Sequence, residues 1–170
     1  PQLDRLVAIK EMKEDFGDEA NIVEQFEQEA KTVAALHHDN IAHVYDYWQS
    51  DKKRYIVMEY INGLSVDALL EKTGRVPWYV AAEIIRQTAE ALEYAHERRL
   101  AHLDIKPANL MVTYYGKVKV MDFGTSRLAG GKKSALGKAV VGTPGYMAPE
   151  QLDGKPGLAS DQYAMGVTFY

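Results

Sequence analysis

Apolar and polar positions along this chain repeat with two different periods. Leu6-Val7-Ala8-Ile9 is an unbroken aliphatic and β-branched run, which predicts a buried strand. Over residues 21–36 the period lengthens. Ile22, Val23, Phe26, Ala30, Val33 and Leu36 recur at helical spacing with Glu and Gln between them, predicting an amphipathic helix. Tyr55 to Tyr60 again reads as a strand, closed by Asn62-Gly63. Ser65 and Asp67, ahead of a run to Leu70, predict a short capped helix. Pro77 opens a long helix in which Val80, Ile84, Ile85, Thr88, Ala91, Leu92 and Ala95 share one face. Two short β-like pieces follow, Leu110 to Val112 and Val118 to Met121, parted by a turn at Gly116. From Gly124 to Gly145 glycine, lysine and small residues dominate, predicting a long loop of the kind that is usually functional or mobile.

The first 60 residues are thus strand-rich around one helix, and the rest starts helical. We expect two lobes meeting near Glu59 to Gly63. The opening strand stands a few residues from the start, and the apolar stretch Tyr163 to Tyr170 meets no stop signal. From this we expect a piece of a longer protein.

Composition narrows the classes. At 170 residues, with 46% hydrophobic and 26% charged residues, the chain has the make-up of a folded domain with a sizeable core. The mean hydropathy is −0.32, which excludes collagenous, low-complexity and disordered types. A net charge of −4 argues against a nucleic-acid partner. The absence of cysteine removes disulfide scaffolds, thiol nucleophiles and Cys-ligated zinc, and agrees with a reducing compartment. No apolar run approaches the roughly 20 residues of a membrane-spanning helix, and no signal peptide opens the chain. A cytoplasmic domain is the expectation, with an anchor elsewhere in the parent left open.

Several residues carry possible chemistry, each beside a plainer reading. Lys10 ends an apolar strand. It is either a surface lysine snorkelling from the sheet or a point charge for polyphosphate. Glu29 is either a solvated helix carboxylate or, bordering the apolar face, the partner of a cation such as Lys10. His102-Leu103-Asp104-Ile105-Lys106-Pro107-Ala108-Asn109 crowds Asp, Lys and Asn beside a proline. Such a stretch can be a mere turn, yet Asp104 can accept a proton, Lys106 can neutralise phosphate and Asn109 can offer oxygen to a hard cation. Asp122-Phe123-Gly124, after an apolar strand, is either turn chemistry or a carboxylate for Mg²⁺.

Taken in order, Val7-Ala8-Ile9-Lys10, Glu29, His102-x-Asp104-x-Lys106-x-x-Asn109, Asp122-Phe123-Gly124 and Ala148-Pro149-Glu150 resemble the signature set of eukaryotic-type Ser/Thr protein kinases, of the kind also found in bacteria. The resemblance runs the whole chain and implies an α+β, bilobal kinase-like fold cut at both ends. Residues 1–60 would form part of the small lobe, from its third strand through its helix and two more strands. Residues 61–170 would form part of the large lobe with hinge, catalytic loop and activation segment. It further implies ATP and Mg²⁺ as cofactors and a protein substrate bearing Ser or Thr hydroxyls. Lys10 would meet the α/β-phosphates, paired with Glu29. Asp104 would be the catalytic base, with Lys106 on the transferring phosphoryl group, and Asn109 and Asp122 would hold the metal. Met58 falls at the gatekeeper position, the backbones of Glu59 and Ile61 would meet adenine, and Ala8 and Met111 would enclose the base. Val33, Val44, His102 and Phe123 match the apolar stack that ties the lobes together. Asp161 matches the buried aspartate under the catalytic loop. Glu150 matches a glutamate whose arginine partner lies later in the family domain. Thr143 matches a threonine that touches the catalytic loop.

Three features depart from the family pattern. The glycine-rich phosphate loop and the late helices are outside the chain, and Leu103 stands where an arginine usually precedes the catalytic aspartate. Two alternatives are a pseudokinase or nucleotide-binding scaffold, and a small-molecule phosphotransferase. Against the first, Lys10, Glu29, Asp104, Asn109 and Asp122 are all present. Against the second, Gly142 to Glu150 resembles a peptide-binding segment, and Lys106 resembles the Ser/Thr branch.

Overall fold

The structure, a computed structural model, describes residues 5–12, 33–50, 53–123, 127–128 and 142–170. Its first sheet is antiparallel, with β1 (Val7–Met12) and β2 (Val44–Ser50) flanking β3 (Lys53–Glu59). The register sets Ala8 opposite Met58 and Lys10 opposite Ile56. The aliphatic run at the start is thus a strand, continued three residues past Ile9 to Met12, but it is not buried as the run predicts. Leu6, Val7 and Ile9 are exposed, because β1 is an edge strand paired on one side only among the described residues. β2 has no clear pattern of its own, since apolar and polar residues mix without strict alternation over Val44–Ser50, and only the resemblance implies a strand in this part of the chain. A register shift between Val44 and Asp46 bends it. The helix expected over 21–36 lies outside the described residues except for its end, where Val33 and Leu36 are buried.

A second sheet orders β4 (Gly63–Ser65), β6 (Leu110–Thr113) and β7 (Val118–Val120). Asn62-Gly63 therefore does more than close a strand. A side chain at Gly63 would sit 2.1 Å from the Val112 carbonyl oxygen, so only glycine lets β4 approach β6. The segment at 40–42 ties this sheet to the rest. Val120 N–H donates to the Asn40 carbonyl (2.8 Å), and Ala42 N–H to the Val120 carbonyl (2.9 Å).

Two helices follow β4 in the chain. α1 (Val66–Thr73) is the short helix anticipated, but Ser65 makes no side-chain cap; instead Asp67 Oδ1 accepts the Ala68 N–H at 2.8 Å. α2 (Trp78–Glu97) starts directly after Pro77. Its buried face contains Ile84, Thr88, Ala91, Leu92 and Ala95 as the period predicts, and also Gln87. That glutamine is buried because its amide is used. Gln87 Oε1 accepts from Asn40 Nδ2 and from Val118 N–H, both at 2.9 Å, and Nε2 donates to Glu83 and to the Gly116 carbonyl.

After α2 come the two-residue β5 (Leu100–Ala101), a 3-10 turn at Pro107–Asn109 and the hairpin of β6 and β7. β8 (Arg127–Leu128), inside the loop predicted from Gly124 to Gly145, pairs with β5. A 3-10 turn at Pro144–Tyr146 leads to α3 (Pro149–Leu152) and then α4 (Leu158–Phe169), whose buried residues are Ser160, Asp161 and Ala164. The core joins Ile84, Ala91, Leu92 and Ala95 of α2 to Val118 and Val120 of β7, Leu110, Ile105 and Ala164. Burying such side chains contributes about 1.5–3 kcal/mol each. The stretch 102–109 is built into this core, with His102, Leu103, Ile105 and Asn109 buried.

Candidate active site

His102, Leu103 and Asp104 are placed by a buried carboxylate below them. Asp161, fully buried on α4, accepts the backbone N–H of His102 (2.8 Å) on Oδ2 and that of Leu103 (2.7 Å) on Oδ1. His96, near the end of α2, reaches the same Oδ2 at 2.7 Å. The polar groups of a non-repetitive loop are thereby satisfied in the interior, where an unpaired donor costs about 1–3 kcal/mol. Leu103 has φ +67°, a left-handed conformation that costs a leucine roughly 1–2 kcal/mol and lasts only where the surroundings over-determine it. Its side chain is 3% exposed.

The His102 ring has its tautomer set by two neighbours. Nε2 donates to the Met121 carbonyl (2.7 Å), which leaves Nδ1 to accept the Asp104 N–H (3.2 Å). Its edge packs on Phe123 with ring centroids 4.5 Å apart. Met121 is gripped from its other side as well, its N–H donating to the Asn109 carbonyl at 2.8 Å. The strand end that carries Asp122 is therefore stitched to the loop that carries Asp104. Val33 and Phe123 lie in the buried apolar cluster, and Val44 packs against it.

Asp104 faces a set of donors. Thr143 donates its hydroxyl hydrogen to Oδ1 (2.7 Å), Lys106 Nζ pairs with Oδ2 (2.8 Å), and Asn109 Nδ2 bonds both the Asp104 carbonyl (2.7 Å) and Oδ2 (3.1 Å). Lys106 also donates to Thr143 Oγ1 at 2.7 Å, closing a ring of three side chains. Burial is the largest single influence on the Asp104 carboxyl and pushes it upward. The hydrogen bonds from Lys106, Thr143 and Asn109, with the Lys106 charge, outweigh it and hold the group below the usual aspartate value. Asp104 is therefore ionised at neutral pH and carries the charge of an acceptor.

Asp122 also has a left-handed backbone, φ +58°, and its Oδ2 pairs with Lys10 Nζ at 2.7 Å. The two side chains keep 32% and 44% of their exposure, so this pair lies open to solvent. Glu29, the expected partner of Lys10, lies outside the described residues. Divalent-cation chemistry fits the residues present. Asn109 spends its Nδ2 on Asp104, which directs Oδ1 the other way, and Asp122 supplies a carboxylate already facing one cation. One amide oxygen and one carboxylate are hard donors of the kind Mg²⁺ takes alongside phosphate oxygens.

The residues expected around a nucleotide base lie on β1 (Ala8), β3 (Met58 and Glu59), β6 (Met111) and the link between β3 and β4 (Ile61). Met58 and Ile61 are buried, Ala8 and Met111 half-buried. The Glu59 N–H is used by the His43 carbonyl (2.8 Å), so a base at residue 59 can be met only through the carbonyl. The Glu59 side chain is held by Lys119 Nζ (2.8 Å) and the His43 N–H (3.1 Å), an arrangement the sequence did not signal. Glu150 accepts from Ser160 Oγ at 2.8 Å, a partner likewise unforeseen. Gln151 was missed as well. A glutamine after a turn carries no pattern, and only its 3% exposure marks it.

Residues 2–170 match the family model described as the protein kinase domain, and the chain belongs to that family. It is 38% identical over 177 residues to serine/threonine-protein kinase PknA of Mycobacterium tuberculosis, covering 99% of this chain and 41% of that protein. It is 34% identical over 171 residues to serine/threonine-protein kinase PrkC of Bacillus subtilis, covering 99% of this chain and 26% of that protein. It is 39% identical over 173 residues to the probable serine/threonine-protein kinase PknB of Corynebacterium glutamicum, covering 98% of this chain and 27% of that protein. The chain thus spans between a quarter and two-fifths of the length of these relatives. Among the described residues no helix is long and apolar enough to cross a membrane.

Proposed function

We propose that the protein containing this chain is an active Ser/Thr protein kinase that moves the γ-phosphoryl group of ATP to a serine or threonine hydroxyl of a protein. The observation that carries this reading is the ring of Asp104, Lys106 and Thr143, closed by bonds of 2.7–2.8 Å and braced by Asn109. Asp104 accepts the hydroxyl proton as the new oxygen–phosphorus bond forms and the bond to the leaving diphosphate breaks. Lys106 places a cation beside the base, where negative charge on the transferring group develops. Lys10 orients the α/β-phosphates as a point charge, and Glu29 is proposed to steady it. Mg²⁺, when bound at Asn109 and Asp122, neutralises phosphate charge. Thr143 bonding both Asp104 and Lys106 links this machinery to the segment from Gly142 to Glu150, which favours a peptide substrate over a small molecule. The complete set of functional side chains speaks against a pseudokinase.

The division into a small-lobe part at 1–60 and a large-lobe part at 61–170, with adenine between Ala8 and Met111 and against Met58, Glu59 and Ile61, belongs to the same proposal. So does a cytoplasmic site of action without nucleic acid. The test is transfer of labelled phosphate by the full-length protein, with ATP and Mg²⁺, to mixed protein acceptors and separately to small-molecule acceptors. Phosphoserine and phosphothreonine in the protein acceptor are expected. Nucleotide binding without transfer to either class would overturn the reading.

A further inference from the structure

Three stretches of chain meet at the carbonyl of Leu103. Gln151, on α3 and 3% exposed, donates from Nε2 to that carbonyl at 2.8 Å. Gly142 lies against the same junction with φ +122°. A Cβ there would stand 2.6 Å from Gln151 Nε2 and 2.7 Å from the Leu103 oxygen. The Leu103 carbonyl and the Asp104 N–H belong to one peptide plane. That plane is therefore pinned at both ends, by Gln151 at the oxygen and by the His102 ring at the N–H, 3.2 Å away. Leu103 is the left-handed residue before the base, so its backbone does not keep this orientation by preference. Asp161 holds the N–H on its near side, and Gln151 holds the carbonyl on its far side.

We propose that Gln151 is a positioning residue. It fixes the peptide plane that leads into Asp104, and so couples the seating of the substrate-facing segment 142–150 to the aim of the catalytic base. The proposal rests on the kinase reading above for its activity readout, and on geometry alone for its structural one. Gln151→Met keeps an unbranched side chain of similar shape and removes the donor. A plane free to rotate turns the Asp104 N–H away from His102 and swings the carboxylate, and mis-aim of this kind lowers kcat by about 10- to 100-fold. Nucleotide affinity does not pass through this bond and should change by less than about threefold.

The experiment measures kcat, the KM for a protein acceptor, nucleotide Kd and amide exchange of the segment around Leu103–Asp104 in the full-length protein. Gly142→Ala supplies a second route, because it displaces the same bond while leaving both partners in place. The expected result is a fall in kcat with nucleotide Kd retained, faster exchange around residue 104 in each variant, and a double variant less impaired than the product of the two single losses. Wild-type kcat in Gln151→Met, a lowered melting temperature with unchanged kcat per folded molecule, or fully multiplicative losses would each overturn the proposal. If the wild-type protein transfers no phosphate, the kinase reading fails separately and exchange decides this one. Faster exchange around Leu103–Asp104 supports the positioning role, and unchanged exchange refutes it.

Discussion

The two carboxylates of the site are held in opposite ways. Asp104 is gripped by Lys106, Thr143 and Asn109 with 13% of its side chain exposed, on a loop whose backbone hangs from a buried aspartate. Asp122 pairs with Lys10 where the two side chains keep 32% and 44% of their exposure. The first arrangement is rigid and water-poor, and its electrostatics are strong because few solvent dipoles compete. The second is screened, and exposed pairs contribute only about 0–1 kcal/mol to stability. This contrast suits transfer chemistry. In the proposed reading Asp104, as the base, has to be aimed before the substrate arrives, whereas Asp122 has to share its charge with whatever cation and phosphate come and go.

Substitutions can break this comparison from both sides. The largest effect is expected at the chemistry itself. Asp104→Asn removes the proton acceptor with little change of shape and should lower kcat in the full-length protein by about 10²–10⁴-fold, with nucleotide binding retained. Asp122→Ala should be as damaging to transfer and should also weaken Mg²⁺-dependent nucleotide binding, as titration with and without Mg²⁺ would show. Wild-type turnover in either variant contradicts the assignment.

Next in size is the support beneath the loop. Asp161→Ala leaves two buried N–H groups without their acceptor, at about 1–3 kcal/mol each. Urea unfolding should show that loss together with lost activity. Lys10→Met, on the open side, should change unfolding by no more than about 1 kcal/mol while lowering kcat more than nucleotide affinity. A Lys10→Met variant as destabilised as Asp161→Ala would erase the distinction between the two regions.

Leu103 sharpens the contrast further. Its side chain is buried, with no donor to offer a phosphorylated loop, and exposed pairs elsewhere give far less than the roughly 5.5 kcal/mol needed to switch a two-state segment. Full dephosphorylation of the residue 124–150 region should cost less than about tenfold in activity. A hundredfold loss reversed by rephosphorylation would refute this.

The smallest effect is a pH dependence. The Asp104 carboxyl is held below its unfolded value of about 3.9, so its contribution to stability is present above that pH and is lost as pH falls through the folded value. The stability difference between wild type and Asp104→Asn should be flat from about pH 8 to 5 and narrow only below about pH 4. Narrowing near pH 6 would mean that the cluster does not hold the carboxyl down.

Much of this molecule is visible in one dimension. The strand at Val7-Ala8-Ile9, the face of α2 and the pieces on either side of Gly116 follow from local pattern, because strand and helix impose periods of 2 and 3.6 on their side chains, although the burial expected of Val7 and Ile9 does not follow. The ordered set from Lys10 to Glu150 carries the chemistry by residue type, since few arrangements place Asp, Lys and Asn within six residues and an Asp-Phe-Gly beyond them for any other use. The sequence alone therefore determined the family and named the residues of the proposed site.

Only the tertiary structure decided how those residues are held. Gln87 and Gln151 carry no pattern in the sequence; Val118 and Leu103, far away in the chain, supply the groups that justify burying an amide. β2 becomes a strand because β3 pairs with it, not because its own pattern insists. Ser65 makes no side-chain cap, and Asp67 Oδ1 accepts the Ala68 N–H instead. The left-handed turn at Leu103 has no signature in its own residue type, since leucine gains nothing locally from a positive φ, and aspartate at 122 tolerates one without announcing it. Long-range hydrogen bonds decide these features. A hydrogen bond depends on where a partner stands in space, and that is settled only when the core closes and brings α3, α4 and the catalytic loop into contact.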